Sequence, residues 1–245
     1  MMGMDSKQTI RKGVTWFRNA LFIIVIGISL AACSTMRLKL YDPLTYGMSK
    51  TTQTDVKEVK LVTTEKIRVV IKKAKDLRPA ILSKNLRPGV TRIGGFINVF
   101  GQVVHSFELE KDVVFLDLFT NNLISCFELA GYEVIPFEEF EVSSTVDKEK
   151  AKVLIESEIL TFWVAVTPGI SYIPDAPSGV AFTVILYELE TRREIWSEVF
   201  MAKSQAYSLK ASVRYEKSIN LAYAEAIRDL YKVISDGVMR NLLQK

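Results

Sequence analysis

Residues 153–166 read Val153-Leu154-Ile155-Glu156-Ser157-Glu158-Ile159-Leu160-Thr161-Phe162-Trp163-Val164-Ala165-Val166. The run lacks Gly and Pro and is rich in β-branched and aromatic residues, which marks a strand. Val153 and Ile155 occupy one face, whereas Leu160, Phe162, Val164 and Val166 occupy the other. That change of phase predicts a β-bulge near Ile159. Downstream, Val180 to Leu189 is apolar on both faces, as a central strand would be. Glu190-Thr191-Arg192-Arg193 makes a turn, and Glu194 to about Gln205 pairs back. Pro168 to Gly179 forms a long loop with three prolines.

The chain closes with a helix. Ile219, Tyr223, Ala226, Ile227, Leu230, Val233, Ile234 and Val238 form one stripe, and Lys217, Glu225, Arg228, Asp229, Lys232 and Asp236 fill the opposite face. Upstream, Leu109 to about Ala130 has helical spacing, with Gly131 as its stop. Tyr132 to Phe137 then returns as a strand, and Glu138, Glu139 and Glu141 read as a solvated acidic turn. Ile67 to Ile71 is an earlier strand, closed by Asp76-Leu77-Arg78-Pro79. Ala80 to His105 is dense in turn signals and reads as a loop. The order implies an α+β fold: a mostly antiparallel or mixed sheet of about five strands with two helices on one face.

The N-terminus decides the compartment. Lys7, Arg11, Lys12 and Arg18 precede Ala20 to Ala32, 13 residues without a charge. A bilayer span needs about 20, so a secretory signal is the better reading than an uncleaved anchor. Leu30-Ala31-Ala32-Cys33 resembles the lipobox of bacterial lipoproteins. The resemblance implies that residues 1–32 are removed and that Cys33 is acylated as the first mature residue. Ser34 in place of Asp implies the outer membrane, with the domain on the periplasmic side. Residues 33–64 read as the acylated cysteine and a flexible tether, roughly 30 Å in reach, within which Met36 to Leu40 also alternates like a short strand. Residues 65–245 make the periplasmic domain.

The net charge of +4 misleads. The leader holds four basic residues against Asp5, so the mature part is close to neutral and has no footprint for nucleic acid. With Cys33 lipidated, Cys126 is the only other cysteine, and no intramolecular disulfide can form.

From about residue 66 to 165 the layout resembles the YajG-like bacterial lipoproteins. The matching pieces are Asp76-Leu77-Arg78-Pro79, Ile93-Gly94-Gly95 with Asn98, Phe100-Gly101, Leu129 to Val134, and Ile155 to Ile159. More loosely, the element order is similar to the TolB N-terminal and CsgG-like class of envelope domains. The resemblance implies an outer-membrane lipoprotein without established activity and transfers no catalytic residue.

Candidate chemistry is sparse. His105 stands without the H-x-x-x-H or C-x-x-C spacing of a metal site, and no cofactor is expected. Cys126 sits among apolar helix residues as a buried thiol. Glu156 and Glu158 share a strand face about 7 Å apart, near the separation of about 6.5–9.5 Å used by inverting glycosidases, though any i, i+2 pair has that spacing. Gly94 to Gly101 lacks the Lys-Ser/Thr of a phosphate loop; its Phe96, Ile97, Val99 and Phe100 are either a core plug or an exposed apolar contact. Lys66, Arg68, Lys72, Lys73, Lys75 and Arg78 form a basic rim, solvated or in contact with phosphate of lipid or lipopolysaccharide. Trp163 and Trp196 read as sheet packing. Together these imply a non-enzymatic, lipid-anchored binding or assembly module. Its membrane contact is through acyl chains, and an envelope protein is met through Phe96, Ile97, Phe100, Ile170, Tyr172 and Ile173. An accessory or carrier of lipid or polysaccharide export is the alternative, and a hydrolase using Glu156 and Glu158 a second.

Overall fold

The computed structural model describes residues 35–46, 67–78, 92–97, 103–109, 114–142, 151–166, 177–206 and 211–236, with Met239 and Leu242. The strands are β1 (Thr35–Leu38), β2 (Arg68–Ile71), β3 (Lys75–Asp76), β4 (Arg92–Ile97), β5 (Val103–Leu109), β6 (Glu133–Pro136), β7 (Val153–Val166), β8 (Pro177–Glu188) and β9 (Glu194–Gln205). The helices are α1 (Phe115–Leu129), α2 (Phe137–Val142) and α3 (Ala211–Ser235). The fold is α+β, as expected, with a curled mixed sheet.

β7 is the spine. One edge of it takes three short parallel strands in series: β2 on Val153 to Ile155, β3 on Glu158 and Ile159, and β4 on Val164 to Val166. β6 extends β2, while β5 and then β1 extend β4. The other edge carries the antiparallel meander β8–β9. Nine strands among the described residues therefore replace the expected five. One of the extra strands, β4, lies inside Ala80 to His105, which the turn signals marked as a loop, and another, β5, begins there at Val103. Gly94 explains the misreading. A Cβ built there would lie 2.2 Å from the Val164 carbonyl oxygen, so this glycine permits close approach of β4 to β7 rather than a turn.

The bulge is present, between Ile159 and Thr161. Val153, Ile155, Ser157 and Ile159 before it, and Phe162 and Val164 after it, are all buried. One inserted residue, Leu160, thus restores the phase, and both runs serve the same core rather than opposite faces.

That core lies between the sheet and the two long helices. α1 contributes Phe115, Phe119, Leu123, Cys126 and Phe127, and α3 contributes Tyr215, Ile219, Tyr223, Ala226, Ile227, Leu230 and Ile234. α1 starts at Phe115 and not at Leu109, because Leu109 still belongs to β5. Its stop is as expected: Gly131 has φ 88°. The Gly131 and Tyr132 amides donate to the Glu128 and Phe127 carbonyls at 3.0 Å, and the Phe127 and Tyr132 rings touch, which completes a Schellman motif. α2 is the unexpected third helix. The acidic turn is helical, and its Phe137 and Phe140 cover Val70, Ala151 and Leu154 on the other sheet face.

Residues 35–46 are part of the fold, which corrects the tether expected over 33–64. β1 runs parallel to β5, as the alternation in Met36 to Leu40 allowed, and Leu38 and Leu44 are buried. Asn220 of α3 clasps the segment: its Oδ1 accepts from the Tyr41 amide at 2.8 Å, and its Nδ2 donates to the Lys39 carbonyl at 2.7 Å. Arg228 donates to the Tyr46 carbonyl. Residues 47–64 lie outside the described residues.

Candidate functional site

Cys33, Phe100, Ile170, Tyr172 and Ile173 lie outside the described residues. Phe96 and Ile97 are placed in β4, in register with His105 and Val103 of β5. They belong to a paired strand and not to a free loop.

The basic rim is neutralised by acids, most of them remote in sequence and one, Asp76, two residues from its partner. Arg68 meets Glu133 at 3.0 Å, and Lys73 meets Asp117. Arg78 meets Asp76 at 2.6 Å while its guanidinium lies over the Phe115 ring. Lys72 and Lys75 both reach Glu156, at 3.3 and 2.7 Å. Each described member thus already holds a carboxylate, and the rim is not a bare cation cluster for phosphate. Lys66 lies outside the described residues.

Glu156 does not resemble a general acid. Burial raises its pKa, but hydrogen bonds from Lys75 and Lys72 outweigh this and leave it below the usual glutamate value. A glycosidase acid needs the opposite shift. Glu158 meets Lys75 at 3.7 Å, so both carboxylates belong to one ion-pair network. His105 is half-buried in β5, and no three His, Cys, Asp or Glu residues converge among the described residues. Cys126 is fully buried, and burial pushes its thiol pKa up. Trp196 packs against the main core with its ring 6.3 Å from Phe200.

What the sequence did not single out is the sheet face opposite α1 and α3. In β8, Val180, Phe182, Val184 and Leu186 point to the core, so Ala181, Thr183 and Ile185 point away from it. Across from Thr183 and Ala181 stand Val199 and Met201 of β9. These two are 47% and 63% exposed. Trp163, two strands away on β7, is opposite Gly179 and shares the same face. α2 covers the far end of this face, around Leu154, and leaves this part open. β9 also pairs with β8 alone among the described strands. The signal was readable: in Ile195-Trp196-Ser197-Glu198-Val199-Phe200-Met201-Ala202-Lys203, Val199 and Met201 share parity with Ser197 and Lys203. Two large apolar side chains therefore occupy the polar phase.

No family model and no curated protein matches the chain. Among solved structures it is similar to a Xanthomonas campestris protein of the DUF330 family, at 12% identity and TM-score 0.47, over 85% of this chain and 98% of that one. A homolog of a neuraminyllactose-binding hemagglutinin from Helicobacter pylori is similar at 17% identity and TM-score 0.46, over 74% and 89%. The Neisseria meningitidis lipoprotein GNA1162 is similar at 9% identity and TM-score 0.34, over 71% and 99%. GNA1162 is named a lipoprotein, and a further similar structure, from Caulobacter crescentus, is described as a putative lipoprotein. Likeness of this degree carries no activity or partner to this chain.

Proposed function

We propose that this chain is a lipid-anchored envelope protein of the outer membrane, acylated at Cys33, that works by binding another envelope protein and not by catalysis. The observation that carries the reading is the open sheet face with Val199 and Met201 at 47% and 63% exposure. Exposed apolar side chains grouped on one face, beside a strand edge able to pair, are the usual marks of an interaction surface. The carrier alternative requires a lipid-sized space between helices and sheet. That layer holds aromatic rings at contact: Phe115–Phe162 at 4.5 Å, Phe119–Phe182 at 5.0 Å and Phe162–Tyr223 at 5.4 Å. Rings packed so closely favour a binding module over a carrier.

A photoreactive residue at Met201, in protein made in its own cells, tests the reading. A single discrete protein adduct is expected, lost when Val199 is changed to Lys while Tm holds. No adduct at Met201, or the same adducts from a probe at Glu190 in the remote β8–β9 turn, would refute it.

A further inference from the structure

The register of β1 places the membrane. Thr35 pairs with Ser106, Ser106 with Gly95, and Gly95 with Ala165. On the other side of β7, Val164 pairs with Ser178, so Pro177 and its partner Gln205 continue the same row. Thr35, Ser106, Gly95, Ala165, Pro177 and Gln205 therefore form a row across six strands, and none of them is charged. β4 and β5 run a little further, as the pairs Phe96–His105 and Ile97–Val103, and the row with this short extension makes the rim at this end of the sheet. β4 ends at Ile97 and β7 at Val166 on this side, and β5 begins at Val103 and β8 at Pro177. At the opposite end of the meander stand Glu188, Glu190, Arg192, Arg193 and Glu194, where β8 turns into β9. From Val164 to Val153 the spine is about 36 Å long.

Cys33 precedes Thr35 by two residues, a reach of about 7 Å at most. We infer that the acylated protein has no spacer, and that this uncharged rim is seated directly on the phospholipid surface with β7 directed away and the charged turn outermost. The inference rests on acylation of Cys33 as proposed above. It replaces a domain swinging on a long coil with one held in a fixed orientation. The open face around Met201 and the β9 edge then run up from the bilayer and stay accessible to a partner.

The test uses the full acylated chain in liposomes of phosphatidylethanolamine and phosphatidylglycerol. A fluorophore is attached at Pro177→Cys, Gln205→Cys or Glu190→Cys, with buried Cys126 left unlabelled under native conditions. Quenchers are carried on the lipid chains near the headgroup. Loss of most of the emission from the two rim positions, with emission at Glu190 kept, is the expected result. A 20-residue Gly-Ser spacer inserted between Ser34 and Thr35 should restore the rim emission, since it adds about 25 Å of reach. Equal quenching at all three positions, none at any, or quenching untouched by the spacer overturns the seating. Mass analysis of the N-terminal peptide reports acylation separately. An unmodified Cys33 overturns the reading beneath it instead.

Discussion

At the scale of single residues, two glycines in the sheet separate cleanly. A side chain at Gly94 would meet the Val164 carbonyl oxygen at 2.2 Å and Val164 Cγ1 at 2.6 Å, whereas one at Gly179 would meet Thr161 Cγ2 at 3.9 Å. Backbone cannot move aside cheaply, so Gly94→Ala should force β4 off β7 and cost about 1–3 kcal/mol as overpacking does. Gly179→Ala should leave Tm nearly unchanged in the same thermal melts. Equal tolerance at both sites would contradict the pairing of β4 with β7. Glu156 supplies a second residue-level prediction. Its folded pKa is lowered below the ordinary 4.5. The stability it contributes is therefore whole above about pH 4.5 and lost as pH falls through the folded value. Lys75, whose pKa is raised chiefly by the same hydrogen bond to Glu156, contributes in full below its ordinary 10.5 only while Glu156 stays ionised. Denaturant titrations should show wild type losing stability faster than Glu156→Gln between about pH 5 and pH 3. Parallel curves would mean that the Lys72–Glu156–Lys75 network does not couple to folding.

At the scale of elements, the sequence revealed what is local. The two-sided apolar run of β8, which lies between β7 and β9, the apolar stripe of α3 and the stop at Gly131 each depend on neighbours within a few residues, and each is present in the structure. Pairing across distance is different. Gly94-Gly95 looks like a turn unless Val164 is known to lie against it. Asp117, Glu133 and Glu156 give no sign in the sequence that they neutralise Lys73, Arg68 and Lys72. The bulge was visible as a change of phase, but only the packing of Phe162 and Val164 shows that it keeps the core on one side. Asn220 was hidden for the same reason. A polar residue in an apolar stripe looks like an interruption, yet it is 1% exposed with both of its amide ends bonded to backbone. Asn220→Ala should leave the Tyr41 amide and Lys39 carbonyl without these partners, at a cost of about 1–3 kcal/mol. The Tyr41 amide should then exchange with solvent deuterium much faster, while amides in β8 keep their protection. An unchanged Tyr41 amide would show that the clasp does not hold the segment.

At the scale of the whole molecule, the question is where the domain begins. Composition alone sets the boundary near residue 65, because the polar, threonine-rich stretch before it has weak periodicity. Among the described residues, the structure carries the fold back as far as Thr35. Leu38 is 0% and Leu44 5% exposed, each burial contributing about 1.5–3 kcal/mol. β1 adds a backbone ladder with β5, and Tyr41 adds a side-chain bond to Glu216 at 2.8 Å. A protein that starts at Thr35 should therefore fold as a stable, cooperative unit without lipid. One that starts at Ile67 should lose several kcal/mol and expose the α3 surface around Asn220. For a domain of this size each kcal/mol is about 2–4 °C in Tm, so a fall of more than about 10 °C is expected. Calorimetry on the two proteins decides it. Should the shorter one melt at the same temperature, residues 35–46 are an appendage, the link to the lipid is long again, and the fixed orientation on the bilayer loses its basis.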